Sequence, residues 1–342
     1  MADLWLEPYE EALGDFPLTA SSREKLKSAL ASAVWAPSVH NTQPWWCRIR
    51  SDTIEIHADR ARLLEVSDPN GRELTISCGA LVEYLSIVLA RFGQDHNIEI
   101  LPRGPTADLI ARLTLGETGR PDPASIVLYD AISARRTNRQ PFQRRSVPAP
   151  AFQRAAGNAR LRGTDLQLIE SRPERTALAD LIARADRLQM ADGKFRQELG
   201  RWLRVPGTRR PDGIPAPNGK APLALRPLAP LVVRTFDIGG GIAAQDRRVA
   251  AGSPVLAVLC TRADDPSAWV AAGRGLARLL LSLAADRVAT SFLNSPVEVP
   301  EIRAELESAL ALRASAQIVL RAGYAKPVAR TPRRPLTEIL RR

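Results

Sequence analysis

RELTISCGALVEYLSIVLARF, residues 72–92, and AWVAAGRGLARLLLSLAAD, residues 268–286, are two long apolar segments of matching character set far apart in one chain. Each is apolar on nearly all sides, the pattern of a helix buried inside a core rather than lying on a surface. Gly93 marks the end of the first. Shorter elements flank each segment in a similar order. In the first half, residues 22–35 place Leu26, Leu30, Ala33 and Val34 on one helical face before Pro37 stops the helix. Trp45–Arg50 and Thr53–His57 read as strands meeting at a turn near Ser51 and Asp52, and Ile98–Leu101 and Leu109–Leu115 read as two more. From about residue 125 the order restarts. A basic helix start at 126–136 and a helix near 151–158 precede a strand at 165–169 and a helix at 174–190. A strand at Pro254–Cys260, the second long helix and a final strand at Gln317–Tyr324 complete the series. The expected fold is α+β, duplicated, with halves at 1–125 and 126–342.

At 342 residues, 45% hydrophobic and 25% charged, the chain excludes disordered, collagenous and coiled-coil classes and has length for two cores. The opening MADLWLEPYE is acidic and lacks the features of a signal peptide. Apolar runs such as 276–285 read as too short and interrupted to cross a bilayer, so the cytoplasm is the expected location and no membrane partner is expected. Three scattered cysteines and three histidines predict neither a disulfide framework nor a metal centre.

The net charge of +11 is concentrated in three segments. Residues 133–145 carry +5, residues 326–342 carry +5 and residues 195–250 carry +6, leaving −5 on the rest. Such clustering points to a bound anion. Aromatics, only 5% of the chain, barely occur there, so a phosphate-bearing small molecule fits better than nucleic acid. Arginine bias is a separate matter. Lysine supplies five of the 48 basic residues, and the six Arg-Arg pairs are close to the roughly five that chance gives at this frequency.

Residues 206–230 hold seven prolines and three glycines in 25 positions, which excludes a regular helix or central strand. Loops of this length are functional covers or disordered; with Ile214, Leu223, Leu225 and Leu228 between the prolines, an ordered lid at about 203–235 is the favoured expectation.

Three motifs stand out. APSVHNTQPW, Ala36–Trp45, follows a helix end with short polar side chains. Ser38, Asn41, Thr42 and Gln43 there could contact the polar rim of a planar heterocycle, or simply cap a turn. ARRTNRQPF, Ala134–Phe142, alternates Arg135, Thr137 and Arg139, with Arg136 adjacent. That is a fork suited to a phosphate and a polyol, or a solvated basic loop. GYAKPVARTPRRPLTEIL, Gly323–Leu340, leads from a strand into a basic tail with Arg330, Arg333 and Arg334, either bound elsewhere or frayed. A fourth candidate, GGGIAA at 239–244, matches a dinucleotide-binding pattern. AQDRRVAAG after it reads as a poor helix, however, and no βαβ unit surrounds it.

Together the three motifs resemble the nitroreductase family of FMN enzymes: its PSSxNxQPW and RRSxRxF motifs and its GYP…K/RxRxPL ending. Their order is permuted. With GRELTISCGA (71–80) and SFLNSPVEVPEIR (291–303), the arrangement is similar to the Acg-type branch, in which two nitroreductase units are fused. The resemblance implies two tandem nitroreductase-like α/β sandwich units forming an intramolecular pseudo-dimer, monomeric or weakly self-associating, with one FMN per chain at the interface. It implies that Arg135 and Arg333 hold the phosphate, with Arg136 and Arg330 beside them. Thr137 would bond the ribityl chain or phosphate, and Arg139 would face the pyrimidine edge. Pro37, Ser38, Asn41 and Gln43 would line the ring from the other half, with Glu298 alongside. Val39 stands where the family has a second serine, and Val299 where it has glycine. The implied function is hydride transfer between NAD(P)H, flavin and a small electrophilic or oxidisable substrate. The alternatives are a lid-covered FMN-sequestering protein and a specialised flavin oxidase or dehydrogenase without NAD(P)H turnover.

Overall fold

Two four-stranded antiparallel sheets of identical connectivity carry the fold of the computed structural model, which describes residues 16–205, 208–215 and 229–341. In the first, β1 (Trp45–Arg50), β2 (Thr53–Ala58), β3 (Gln94–Ile100) and β4 (Leu109–Thr118) lie in the order β1-β2-β4-β3. A short parallel pair, β6 (Leu203–Arg204) with β7 (Ile214–Pro215), follows β5 (Thr164–Leu168) in the chain. With β8 (Val255–Thr261), β9 (Ala289–Phe292) and β10 (Ser315–Gly323), β5 forms the second sheet in the order β5-β8-β10-β9. The halves differ in one connection. β1 and β2 meet at a two-residue turn whose Ser51 has φ 51°, whereas residues 169–254 separate β5 from β8.

Helices α1 (Ser22–Ala33), α2 (Arg72–Arg91) and α3 (Pro123–Asp130) accompany the first sheet. The second is served by α4 (Ala149–Arg160) and α9 (Pro266–Ala285), then α10 (Ser295–Glu298) and α11 (Pro300–Ala309), while the C-terminal α12 (Leu336–Ile339) returns to β1 of the first sheet. The long connection adds α5 (Arg172–Ala191), α6 (Gly193–Trp202), α7 (Ala229–Thr235) and α8 (Gly239–Ala251). Local signals set the boundaries. Ser21 and Glu24 close a capping box on α1. Gly71, at φ 70°, opens α2, and the Asp68 carboxylate accepts from the backbone N–H of Glu73 (3.0 Å) and Leu74 (2.8 Å).

The two expected central helices form and pack on each other at the middle of the molecule. They share their cores. Val270, Ala277 and Leu281 of α9 join the first half's cluster with Leu81 and Leu85, while Ile76 of α2 joins Leu276 and Leu280 in the second. Each such buried side chain contributes about 1.5–3 kcal/mol. Both helices are, by length and composition, long and apolar enough to cross a membrane, contrary to the expectation for these runs. Their apolar windows are 94% and 67% buried inside the fold, so burial in protein accounts for their composition. The tail also crosses over. Ile339 of α12 is fully buried in the first core, and Arg341 donates its backbone N–H to the Cys47 carbonyl at 2.8 Å on the edge of β1.

Several expectations need correction. The helix anticipated at 126–136 ends at Asp130, because the following residues turn to send Arg135 inward. AQDRRVAAG is helical: α8 starts on Gly239, whose N–H is capped by Asp237 (2.8 Å), and packs along α5. Helix α7 rather than a strand precedes it, so the glycines form no strand–loop–helix unit. Strand β9 and helices α6, α10 and α11 carried no sequence expectation.

Candidate functional site

Between the halves lies a cavity of about 260 Å³, and ten of the eleven candidate residues line it. Pro37, Ser38 and Asn41 come from the loop joining α1 to β1. That loop is tightly wound: His40, Asn41 and Gln43 all adopt left-handed φ, at 44°, 53° and 48°. Such a cluster of non-glycine residues costs energy that the surroundings must hold. Ser38 Oγ accepts the Gln43 N–H at 2.9 Å, Ser77 Oγ accepts the Val39 N–H at 3.1 Å, and Asn41 donates to the Pro332 carbonyl at 3.2 Å. Gln43 is the exception. Fully buried, it lies outside the cavity lining and binds the tail, accepting the Arg334 N–H at 2.7 Å and donating to the Pro211 carbonyl at 2.8 Å.

From the other half come Arg135, Arg136, Thr137 and Arg139, and from the tail Arg330 and Arg333. The tail is therefore bound, not frayed. Arg333 donates to the carbonyls of Val34 (3.0 Å), Trp35 (3.2 Å) and Ala36 (3.4 Å), and Arg135 reaches the Trp35 carbonyl at 3.5 Å. These carbonyls end α1, where the helix dipole favours cations. Arg330 stacks over the Trp35 ring at 3.9 Å. The cluster is nonetheless undercompensated. Burial, then neighbouring guanidinium groups, depress Arg333 to about 9 and Arg136 to about 10. No carboxylate is among the causes acting on either, and Nε and Nη1 of Arg135 lack hydrogen-bond partners among the described residues. Arg321 on β10, which carried no sequence expectation, supports this segment by donating to the carbonyls of Asn138 (3.2 Å) and Gln140 (3.1 Å).

The floor between these groups is apolar, built from Ile76, Ala80, Leu276, Phe292 and Ile318. Carboxylates are part of the same lining. Glu298, half-buried, accepts from Gln189 Nε2 at 2.7 Å, and Glu73, only 3% exposed, accepts from Asn294 at 3.2 Å and Arg72 at 3.3 Å. His40 completes the lining; burial, then the Arg139 charge, lowers its imidazole to about 4. Glu73 and His40 were not singled out from sequence. Both sit inside segments that carried the resemblance, which is the signal that could have found them.

The duplicated position on the other side of the helix pair is filled. The loop of residues 34–44 between α1 and β1 corresponds to only 161–163 between α4 and β5. Ala80 and Tyr84 on α2 correspond, residue for residue, to Arg274 and Arg278 on α9. With Arg162 at 2.9 Å and Arg274 at 2.8 Å, Arg278 closes on the buried Glu83 carboxylate.

Of the Pro-rich segment, residues 206, 207 and 216–228 lie outside the described residues, including Leu223, Leu225 and Leu228. In its described part Ile214 lines the cavity and Asp212, 3% exposed, is gripped by Arg204 (2.6 Å) and Arg62 (3.0 Å).

No family model matches the chain. Two proteins of Mycobacterium tuberculosis align with nearly all of it. "Putative NAD(P)H nitroreductase Rv3131" is 29% identical over 326 residues, covering 93% of this chain and 91% of that protein. "Putative NAD(P)H nitroreductase acg" is 28% identical over 336 residues, covering 94% and 97%. The solved FMN-dependent nitroreductase NfnB from Mycobacterium smegmatis matches 64% of this chain and 98% of its own at 17% identity, with a TM-score of 0.41. By sequence, the chain is similar along nearly its entire length to these two proteins named as putative NAD(P)H nitroreductases.

Proposed function

We propose that this protein is an FMN-dependent oxidoreductase of the nitroreductase type, passing hydride from NAD(P)H to a small electrophilic acceptor, with one FMN in the interface cavity. The observation that carries the reading is the arginine cluster. Arg135, Arg136 and Arg333 crowd one side of the cavity and repel one another, Arg136 and Arg333 are depressed in basicity, and a phosphate monoester supplies the missing negative charge. The orphaned Nε and Nη1 of Arg135 are donors of the kind such a group needs. Beside them the apolar floor suits a planar ring system, while Thr137, Arg139, Ser38 and Asn41 provide polar groups for its sugar-alcohol chain and ring edge. FMN supplies reversible two-electron chemistry. The protein's part is to bind the phosphate through Arg135 and Arg333, to place the ring against Pro37 and the apolar floor, and to set the charge around it through Arg139. The closed position at Glu83 supports a single flavin. In this reading residues 1–125 and 126–342 act as the two subunits of a dimer.

A second reading, flavin storage beneath a lid, is favoured by one observation: Ile214 of the Pro-rich segment already borders the cavity. Purified protein decides between the two. Yellow protein with about one FMN per chain, bleached by anaerobic NADPH, supports the oxidoreductase. Yellow protein that NADPH leaves oxidised supports storage, and colourless protein defeats both.

A further inference from the structure

Four carboxylates and one arginine surround the start of α2: Asp68, Glu73, Glu198 and Glu298 with Arg72. Two of them are saturated. Asp68 caps the helix, and Glu198 accepts the backbone N–H of Val66 (2.9 Å) and Ser67 (3.0 Å) and the Ser67 hydroxyl (2.8 Å). Arg72 is largely spent on the carbonyls of Gln317 (2.7 Å) and Val297 (3.0 Å). The two carboxylates that line the cavity, Glu73 and Glu298, are the least compensated. Asn294, at the start of α10, and Gln189, on α5, each give one hydrogen bond, to Glu73 and Glu298 respectively.

Glu73 Oε1 takes both bonds available to that side chain, from Asn294 and Arg72, while Oε2 is buried with no hydrogen-bond partner among the described residues. An ionised oxygen in that position leaves a desolvated charge without a donor, and a proton on the carboxyl removes that charge. We propose that the Glu73 carboxyl, part of the cavity wall, delivers the proton that accompanies hydride transfer to a quinone-type acceptor bound in this cavity. The inference rests on the oxidoreductase reading above. Burial, then the nearby Glu298 charge, raises the Glu73 carboxyl well above the ordinary range, with Arg72 opposing and Asp68 reinforcing the shift. Burial likewise raises Glu298, opposed by Gln189 and Arg72. Interacting sites of this kind titrate as a pair.

The step balances simply. A quinone becomes a hydroquinone by gaining two electrons and two protons. The hydride, drawn from NAD(P)H through the bound cofactor, supplies both electrons and one proton. Glu73 supplies the second proton to the quinone oxygen and is left as a carboxylate, which water reprotonates before the next turnover.

The test uses the full-length protein with para-benzoquinone as acceptor, compared as wild type, Glu73→Gln and Glu73→Asp. Flavin content is measured first, and a flavin-free wild type overturns the underlying reading and this proposal with it. In flavin-loaded wild type labelled with ¹³C-glutamate, infrared spectroscopy at neutral pH is expected to show the carbonyl stretch of a buried protonated carboxyl. Its absence overturns the proposal while leaving the flavin reading intact. Glu73→Gln is expected to slow quinone reduction about a hundredfold and to abolish the fall in rate at high pH. Glu73→Asp restores that pH-dependent limb in part. A Gln variant that keeps the wild-type rate or limb overturns the assignment. Because burial raises Glu298 as well, the carbonyl band is expected to persist in Glu298→Gln, and its loss there overturns the assignment to Glu73 even if the Glu73 variants do not fold.

Discussion

Gly79 and Gly273 are counterparts across the α2–α9 crossing. Each is the eighth residue of a twenty-residue helix, and each lies against the backbone carbonyl of the fifth residue of the other: Gly79 against Val270, Gly273 against Ile76. A Cβ at either position would fall far inside contact distance of backbone that cannot move aside. Glycine here permits close approach rather than an unusual φ. Replacing either with alanine is expected to destabilise the protein by about 1–3 kcal/mol or more through overpacking, with Gly273→Ala the worse. Urea unfolding at constant m-value measures this, and an unchanged midpoint would show that the helices can separate freely.

Glu83 poses the opposite problem, a charge sunk in the core. Burial alone would raise its carboxyl, but Arg274, Arg278 and Arg162 hold it below the ordinary range. Its folded pKa is thus depressed. The associated stability is present above the unfolded value near 4.5 and is lost as pH falls through the folded value. Glu83→Gln leaves three guanidinium groups around a neutral amide and is expected to cost about 3–5 kcal/mol at neutral pH. The variant's stability should also fall less on acidification than the wild type's. Parallel thermal melts at pH 7 and pH 4 compare the two.

For the arginine cluster, Arg135→Ala and Arg333→Ala each remove a charge-assisted contact worth roughly 1.5–3 kcal/mol, so flavin affinity is expected to drop about ten- to a hundredfold. Burial and the neighbouring guanidinium groups make the charged cluster costly in the absence of an anion, and a phosphate monoester offsets that cost. Binding should therefore weaken as ionic strength rises, which fluorescence titration of FMN at increasing salt measures.

The elements legible in the sequence were those with strong periodicity or strong punctuation. The apolar runs at 72–92 and 268–286 announced both core helices, and Ser51-Asp52 announced the first hairpin. Strand β9 is four residues long, too short for alternation to register. In α8 three leading glycines hid a helix that is held in place by packing on α5. The basic half of the cavity was readable because Arg135 and Arg333 fall in motifs with fixed spacing. Glu73 was not, since a single acid at a helix start ordinarily serves the helix dipole. Its meaning here depends on Glu298, which only the tertiary fold brings near. Gln43 shows the converse. A polar residue inside a motif looked like a ligand contact, yet it fastens the tail through the backbone of Arg334.

The last prediction concerns Asp212, which ties the Pro-rich segment to the cavity mouth. Arg204 and Arg62 grip its carboxylate, Gln43 donates to the adjoining Pro211 carbonyl, and the Gly213 N–H reaches the Asn41 carbonyl at 3.3 Å. Three of these contacts bind residues 211–213 to the loop that carries Ser38 and Asn41 and to Arg62, the Arg204 contact braces the segment internally, and Ile214 is left at the cavity edge. Burial would raise the Asp212 carboxyl, but hydrogen bonds from Arg204 and Arg62 outweigh it and hold it below the ordinary range. The clamp is therefore intact above the unfolded value near 3.8 and loosens only as pH falls below it. Asp212→Asn keeps the shape and removes the charge, weakening two charge-assisted bonds of roughly 1.5–3 kcal/mol each. If the segment gates the cavity, FMN should leave the variant about ten- to a hundredfold faster, and anaerobic NADPH should bleach it faster as well. Stopped-flow fluorescence of released flavin reports the first rate, and flavin absorbance the second. Acceleration of both would make storage beneath a lid a property of this clamp. Faster release with unchanged bleaching would instead mean that Asp212 secures the flavin loop and that hydride donors reach the cavity by another side.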